Sequence, residues 1–180
     1  MSKPDQGPSR VESLRAGLGG AAAMTLVAFF LRTTGLNPMN LELLLGSAVT
    51  GSFGPGAWVL GLALHLALGA GFGLIYGRFM RHIGSKGWKV GAPLALVHVL
   101  LAGLLLPMAG SMHPLVNQGL LIKPRMFGVD LGWTGPLTFL LLHEVYGVTL
   151  GVLSVVWHTE RKAEPARAVA EPPLAVGNRS

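Results

Sequence analysis

Four long apolar runs decide what this chain can fold into. They cover residues 16–31, 58–77, 90–110 and 136–157. A bilayer core about 30 Å thick is crossed by roughly 20 helical residues, because lipid offers the backbone no hydrogen-bond partners. The chain is also 51% hydrophobic and only 12% charged, against roughly 25% charged in ordinary soluble domains. The sequence therefore predicts an all-α integral membrane four-helix bundle, with the lipid bilayer as its surroundings.

The two ends of the chain have a different composition. Residues 1–13 and 159–180 are polar, rich in Pro and Ala, and poor in large apolar side chains. Such segments cannot bury enough surface to fold, so we expect disordered tails on either side of a four-helix domain at 14–158. The first apolar run is followed by Arg32-Thr-Thr-Gly rather than a small-residue cleavage site, which favours a retained helix over a signal peptide.

The basic residues indicate an orientation. Eleven of the 14 Lys and Arg residues lie before the first apolar run, in the 78–89 connection or after the last apolar run. Cytoplasmic segments carry this excess, and tryptophans mark the membrane interfaces. Trp58 and Trp133 then lie at the outer interface, and Trp88 and Trp157 at the inner one. Both termini are therefore expected in the cytoplasm. No nucleic-acid partner is expected, because the basic residues flank apolar runs and are not interleaved with aromatic residues.

An internal repeat accounts for the regular glycines. A shift of 78 residues lays "LALHLALGAGFG" over "LLLHEVYGVTLG" and places His65 on His143. This match predicts two parallel-repeat helical hairpins related by an axis along the membrane normal. Glycine at every fourth position lets two helix backbones touch, which is a common packing mode in membranes. The expected packing residues are Gly69, Gly73, Gly147 and Gly151.

The histidines at the head of these glycine stripes are the candidate site residues. The spacing places His65 and His143 on the bundle-facing side, roughly 10 Å below the outer interface, whereas His82, His98 and His158 belong to the inner half. Three interpretations stay open. The two rings form a polar contact between helices; they bind a haem or a transition metal; or they form a proton or cation relay with Glu144. The candidate cofactor ligands are His65 and His143, and the candidate metal ligands are His65, His113, His143 and Glu144.

Two connections on the outer side carry apolar residues. The run Leu41 to Val49 is too short to span a bilayer, so it lies along the interface or dips into the bundle. The segment from His113 to Trp133 contains few charges. We expect an ordinary ordered connection there, with a lid over the outer mouth as the alternative.

Missing residues and motifs narrow the function. The chain has no cysteine, which excludes disulfides, thiolate zinc sites, iron–sulfur clusters and c-type haem. It has no phosphate-binding glycine loop, no HExxH and no GxSxG. We expect a non-enzymatic accessory or scaffold subunit, working with a membrane-protein partner or as a homo-oligomer. The alternatives are haem b or transition-metal binding at the outer histidines, and a small transporter or proton pathway; the residues name no cofactor.

The order of the segments resembles a known family. "GLNPMNLELLLG", "HLALGAGFGLIYGR", "LLLPMAGS" and "LLLHEVYGVTLGVL" follow one another as in a family of small bacterial four-helix membrane proteins of unknown function. The resemblance covers residues 14–158. It implies a four-helix fold and a location in the bacterial cytoplasmic membrane, and it carries over no catalytic residue.

Overall fold

The protein is helical throughout the part of the chain that the structure describes. A computed structural model describes residues 7–84 and 87–170, with side chains up to residue 163. The four long helices are α1 (Arg10–Thr33), α3 (Pro55–Ile83), α4 (Trp88–Ser111) and α6 (Thr134–Ala170). The short ones are α2 (Leu41–Thr50), α5 (Pro114–Asn117) and a 3-10 helix (Met126–Leu131). Four helices are long and apolar enough to cross a membrane, so the predicted all-α four-helix bundle is confirmed and the chain is a multi-pass membrane protein.

The long helices form a bundle with one open side. Helix α1 packs against α3 and α6, and α4 packs against α6, whereas α3 and α4 approach each other at few points. The chain crosses the bundle four times. The start of α1, the ends of α3 and α6 and the start of α4 therefore lie at one end, here called the termini end, and segments 34–54 and 112–133 lie at the other, here called the loop end. Helix α2 packs on α3, and the 3-10 helix packs on α4 and α6.

The outward faces of the long helices are apolar. Leu68 of α3 and Leu100 and Leu104 of α4 are about half exposed, at 51%, 53% and 49%. Contiguous apolar surface of this kind is rare on soluble monomers. Lipid tails cover it when the helices cross a bilayer.

Two matching glycine seams hold the helices of each hairpin together. In each seam one glycine of the first helix lies between two glycines of the second. They are Gly17 with Gly69 and Gly73 in the α1–α3 pair, and Gly91 with Gly147 and Gly151 in the α4–α6 pair. A methyl group added at Gly147 would lie 2.5 Å from the carbonyl oxygen of Gly91. Backbone therefore packs on backbone, which supplies van der Waals contact where lipid provides no hydrophobic drive.

The seams also show how the two hairpins correspond. Three positions on or next to the first helix of each hairpin face equivalent glycines of the second helix. They are Ser13, Gly17 and Ala21 in α1, and Gly87, directly before α4, with Gly91 and Ala95 in α4. This correspondence relates α1 to α4 by 74 residues, whereas α3 and α6 are related by 78. The second hairpin is thus about one helical turn longer than the first, which is why a single sequence shift aligns only the second helices.

The helices extend into both segments that the sequence predicts as disordered tails. Residues 10–13 form the first turn of α1 because Ser9 and Glu12 make a reciprocal capping box, which satisfies backbone donors at the helix start. Helix α6 continues beyond residue 158 to Ala170, and the Arg161 guanidinium donates to Glu12 over 2.6 Å. The described helices thus begin and end several residues inside the segments predicted as tails. The rest of the predicted tails, 1–6 and 171–180, lies outside the described residues.

The seam yields a prediction with a control on the same helix. Gly69→Leu pushes a side chain into Ala21 and the backbone of Gly17, whereas a side chain at Gly71 meets nothing within 4 Å. We expect Gly69→Leu to lower the free energy of unfolding by about 1–3 kcal/mol or more, and Gly71→Leu to leave it nearly unchanged. Thermal unfolding of the purified protein in detergent measures both. Equal tolerance at the two positions contradicts the seam.

Candidate functional site

The segment after α1 folds back into the bundle and places α2 below the end of α1. The backbone N–H of Asn37 donates to the Leu31 carbonyl over 3.1 Å, and its side-chain amide donates to the Ala28 carbonyl over 3.4 Å. Asn40 then accepts the backbone N–H of Leu43 over 3.0 Å, which caps α2. Glu42 consequently lies in the first turn of a helix that starts inside the protein, and it is only 1% exposed.

A third glycine contact fixes α2 against α3. Gly46 lies against the Ala57 carbonyl, and Gly61 lies against the Glu42 carbonyl, so the two helices run antiparallel with their backbones touching. Gly51 ends α2 with φ +64°, a conformation that glycine adopts without strain. Of the two positions that the sequence allows for this segment, the structure has it packed on α3 in the bundle, not lying along the interface.

Four polar side chains from three helices meet at the start of α2. We call Thr25, Arg32, Glu42 and His65 the Glu42 cluster. The Arg32 Nη1 donates to Glu42 Oε2 over 3.2 Å. His65 Nδ1 lies 3.0 Å from the Thr25 hydroxyl and 3.8 Å from Glu42 Oε1. That Oε1 is buried and has no hydrogen-bond partner among the described residues.

The surroundings of Glu42 favour its charged form. Burial by itself raises the pKa of the carboxyl, but the neighbouring His65, the Glu42 backbone and the Arg32 guanidinium together lower it below its ordinary value of 4.5. Nearby positive charge and hydrogen bonding to the carboxylate account for the direction of the shift. The carboxylate therefore adds stability above pH 4.5, and this contribution is lost as the pH falls through the lowered pKa.

Three members of the Glu42 cluster, Arg32, Glu42 and His65, line a cavity of about 50 Å³, and Asn37 and Thr138 add to its polar wall. The opposite wall consists of apolar side chains from α1, α4 and α6, which include Met24, Ala28, Leu106 and Leu142. A water molecule needs about 10–15 Å³ measured in this way and two or more polar partners. The cavity therefore holds a few waters or a small ion, and it is too small for a ring-sized ligand.

His113 has a structural role. It is 3% exposed, and its Nδ1 accepts the backbone N–H of Leu115 over 3.2 Å. Its Nε2 lies 3.0 Å from the Leu44 carbonyl, to which it donates, and 3.2 Å from the Ser47 hydroxyl. Both ring nitrogens are thus used to hold α5 against α2, and neither keeps a free lone pair for a metal.

His65 and His143 have different neighbours. His65 lines the cavity, whereas His143 donates from Nδ1 to the Phe139 carbonyl over 2.7 Å. The His143 ring meets the edge of His98 at a centroid distance of 5.0 Å, and His98 stacks on Phe72 at 4.0 Å. Within the described ranges His65 and His143 share neither a hydrogen bond nor a ring contact. The imidazole pair that does form, His98 with His143, leaves no space for a porphyrin between its rings.

The predicted metal ligands are not brought together. No group of three or more His, Cys, Asp or Glu residues in the described ranges is placed to hold a metal ion. The predicted set of His65, His113, His143 and Glu144 is therefore not assembled as one site. Glu144 is half-buried, and its Oε1 has no hydrogen-bond partner in the described structure.

Two features of the site were missed by sequence reasoning, although the sequence held a signal for each. His98 was assigned to the inner half, yet it lies ten residues beyond Trp88, or about 15 Å along the helix, which is near the middle of a bilayer. Glu42 interrupts the apolar run "NLELLLGS". An ionisable residue within apolar surroundings at membrane depth is by default a candidate for function.

Comparison with known proteins adds no relative. No protein-family model matches the chain, and no curated protein or solved structure is significantly similar to it. The function is therefore argued from the geometry of the site.

The ion pair at the site can be tested by a double-mutant cycle. Arg32→Gln leaves the buried Glu42 carboxylate without its main partner, and we expect a loss of about 3 kcal/mol in the free energy of unfolding. Combining it with Glu42→Gln should recover most of the loss, because the charge that needed Arg32 is then gone. Additive effects of the two changes, measured by thermal unfolding at pH 7, would show that the pair does not interact.

Proposed function

We propose that this chain is a non-enzymatic, multi-pass protein of the bacterial cytoplasmic membrane that binds a proton or a small monovalent cation at Glu42 and belongs to the class of small transporters or proton pathways. Both termini lie in the cytoplasm in this proposal. The concentration of Lys and Arg at the termini end supports that orientation. The loop end, with the Glu42 cavity, then faces the outside.

The observation that carries the proposal is the free oxygen of Glu42. One carboxylate oxygen pairs with Arg32, while Oε1 is buried beside a cavity and has no hydrogen-bond donor among the described residues. Leaving a buried carboxylate oxygen without a hydrogen bond costs more free energy of folding than a typical hydrogen bond contributes. A proton donor or a cation in the cavity removes that cost.

The charges of the cluster indicate how it works. Arg32 and Glu42 neutralise each other, while His65 Nδ1 lies 3.0 Å from the Thr25 hydroxyl and 3.8 Å from Glu42 Oε1. A proton or a small cation in the cavity would occupy the same oxygen, Glu42 Oε1. Binding of the two is then mutually exclusive, which is the requirement for exchanging one for the other.

The other interpretations receive less support. The seam glycines pack against helices of this same chain, so they offer no free surface to a partner or a second copy. A scaffold role therefore has no surface that argues for it, and the mechanism at Glu42 requires no partner. Haem binding by His65 and His143 has no geometric support, because the two rings have separate neighbours.

Flux through proteoliposomes tests the proposal. Vesicles containing the protein and an internal pH-sensitive dye receive an acid pulse, or a sodium or potassium gradient. We expect faster entry of the proton or one of these ions than in protein-free vesicles, and a return to the protein-free rate with Glu42→Gln. Glu160→Gln, which changes an exposed acid near the termini end, should behave as the unaltered protein.

The result depends on a folded variant. Circular dichroism and gel filtration establish whether Glu42→Gln keeps the native helix content and size. If it does not, Glu42→Asp, which keeps the charge but shortens its reach, should give a reduced rate. The proposal is contradicted if the protein accelerates the entry of none of these ions. It is also contradicted if a folded Glu42→Gln variant keeps the full rate of entry.

A further inference from the structure

A second cavity lies above the first at the loop end. It has a volume of about 270 Å³ and lies between α2 and the segment before α6, lined by Leu43, Leu44 and Ser47 on one side and Leu121 and Leu131 on the other. We call it the vestibule. It is large enough for a hydrated ion, whereas the Glu42 cavity of about 50 Å³ has room only for a small one.

The vestibule contains its own free carboxylate oxygen. Asp130 is the charged side chain among its lining residues. Its Oδ1 accepts the backbone N–H of Arg125 over 2.8 Å, while Oδ2 is buried and lacks a partner in the described ranges. The nearby basic residues, Lys123 and Arg125, line a separate depression with Pro107 and Met126. The vestibule therefore has one carboxylate among lining residues that are otherwise uncharged.

Met39 separates the two cavities. It is part of the lining of both. The backbone beside it is held, because Asn37 Oδ1 accepts the Met39 N–H over 3.2 Å, and the terminal methyl group of its side chain packs beside Gly128. An unbranched thioether with three rotatable bonds changes rotamer easily, so the side chain can move while the backbone stays in place.

We infer that the vestibule is the outer access site for a small monovalent cation, the hydrated proton included, and that the Met39 side chain is the gate between it and Glu42. This inference rests on the proposed function and names its route. Asp130 attracts the cation, since a charged cleft with low-dielectric walls raises the local concentration of counter-ions. A rotamer change of Met39 then joins the vestibule to the inner cavity, whose size selects the ion.

The gate can be tested by metal access to a single thiol, because the chain has no cysteine of its own. Thr138 lines the inner cavity and is 7% exposed, and Thr138→Cys preserves its size. Silver ion is a small monovalent cation that bonds to the sulfur and releases the thiol proton. Its reaction is followed by the loss of later maleimide labelling in denaturant.

We expect Met39→Ala to speed the silver reaction at Thr138→Cys by about tenfold or more, because a closed gate leaves only a minor open population. Ser154→Cys is the matched control, since Ser154 is fully buried in the same helix and lines neither cavity. If Met39→Ala speeds both thiols equally, the whole fold has loosened and the gate is contradicted. No change at Thr138→Cys contradicts it as well.

The vestibule charge has a separate test. At Leu43→Cys, a positively charged methanethiosulfonate should react faster than a negatively charged one, and Asp130→Asn should remove the difference while it keeps the acceptor for Arg125. Equal rates for the two reagents in the presence of Asp130 overturn the cation site.

If the silver and charge results hold while Glu42→Gln keeps full flux, the route stands and the function at Glu42 fails. If the flux depends on Glu42 but silver access ignores Met39, the function stands and the route fails.

Discussion

Direct contact between helix backbones is the interaction on which the rest of this structure depends. In a bilayer, apolar side chains gain little free energy by moving from lipid into a helix contact, so helices need close van der Waals contact to associate. Three glycine contacts supply it: one inside each long hairpin and one between α2 and α3. The third has the largest functional consequence. By bringing Gly46 against α3, it places the start of α2 beside His65 and carries Glu42 below the end of α1.

A charge in that position is costly, which makes its presence informative. The attraction within a buried ion pair commonly contributes no more free energy than desolvation of the two charges costs. The Arg32–Glu42 pair is therefore a poor explanation for stability. In the part of the chain that the structure describes, one oxygen of Glu42 also has no hydrogen-bond donor, which a purely structural pair would have no reason to leave. Both facts fit a site that accepts a charged species, and the second free carboxylate oxygen, on Asp130, lies on the path to it.

The sequence predicts well those features that depend on local pattern. The four spans follow from apolar runs of sufficient length, and Gly69 and Gly147 follow from an interval of four along one helix. The Glu42 cluster could not be assembled in the same way. Thr25, Arg32, Glu42 and His65 meet only because residues 34–40 fold back through hydrogen bonds of Asn37, and such a reversal has no periodic signature. The helical extension at Arg161 likewise depends on a contact with Glu12 across the chain.

The charge state of Glu42 is the most direct test of this account, and infrared difference spectroscopy measures it. Spectra of the unaltered protein minus Glu42→Gln, recorded in lipid vesicles over a range of pH, isolate the bands of this one side chain. The account predicts a carboxylate band at pH 7 that gives way to a protonated carbonyl band only below pH 4.5, because Arg32 and His65 lower the pKa of the carboxyl. A protonated carbonyl band already present at pH 7 would contradict it.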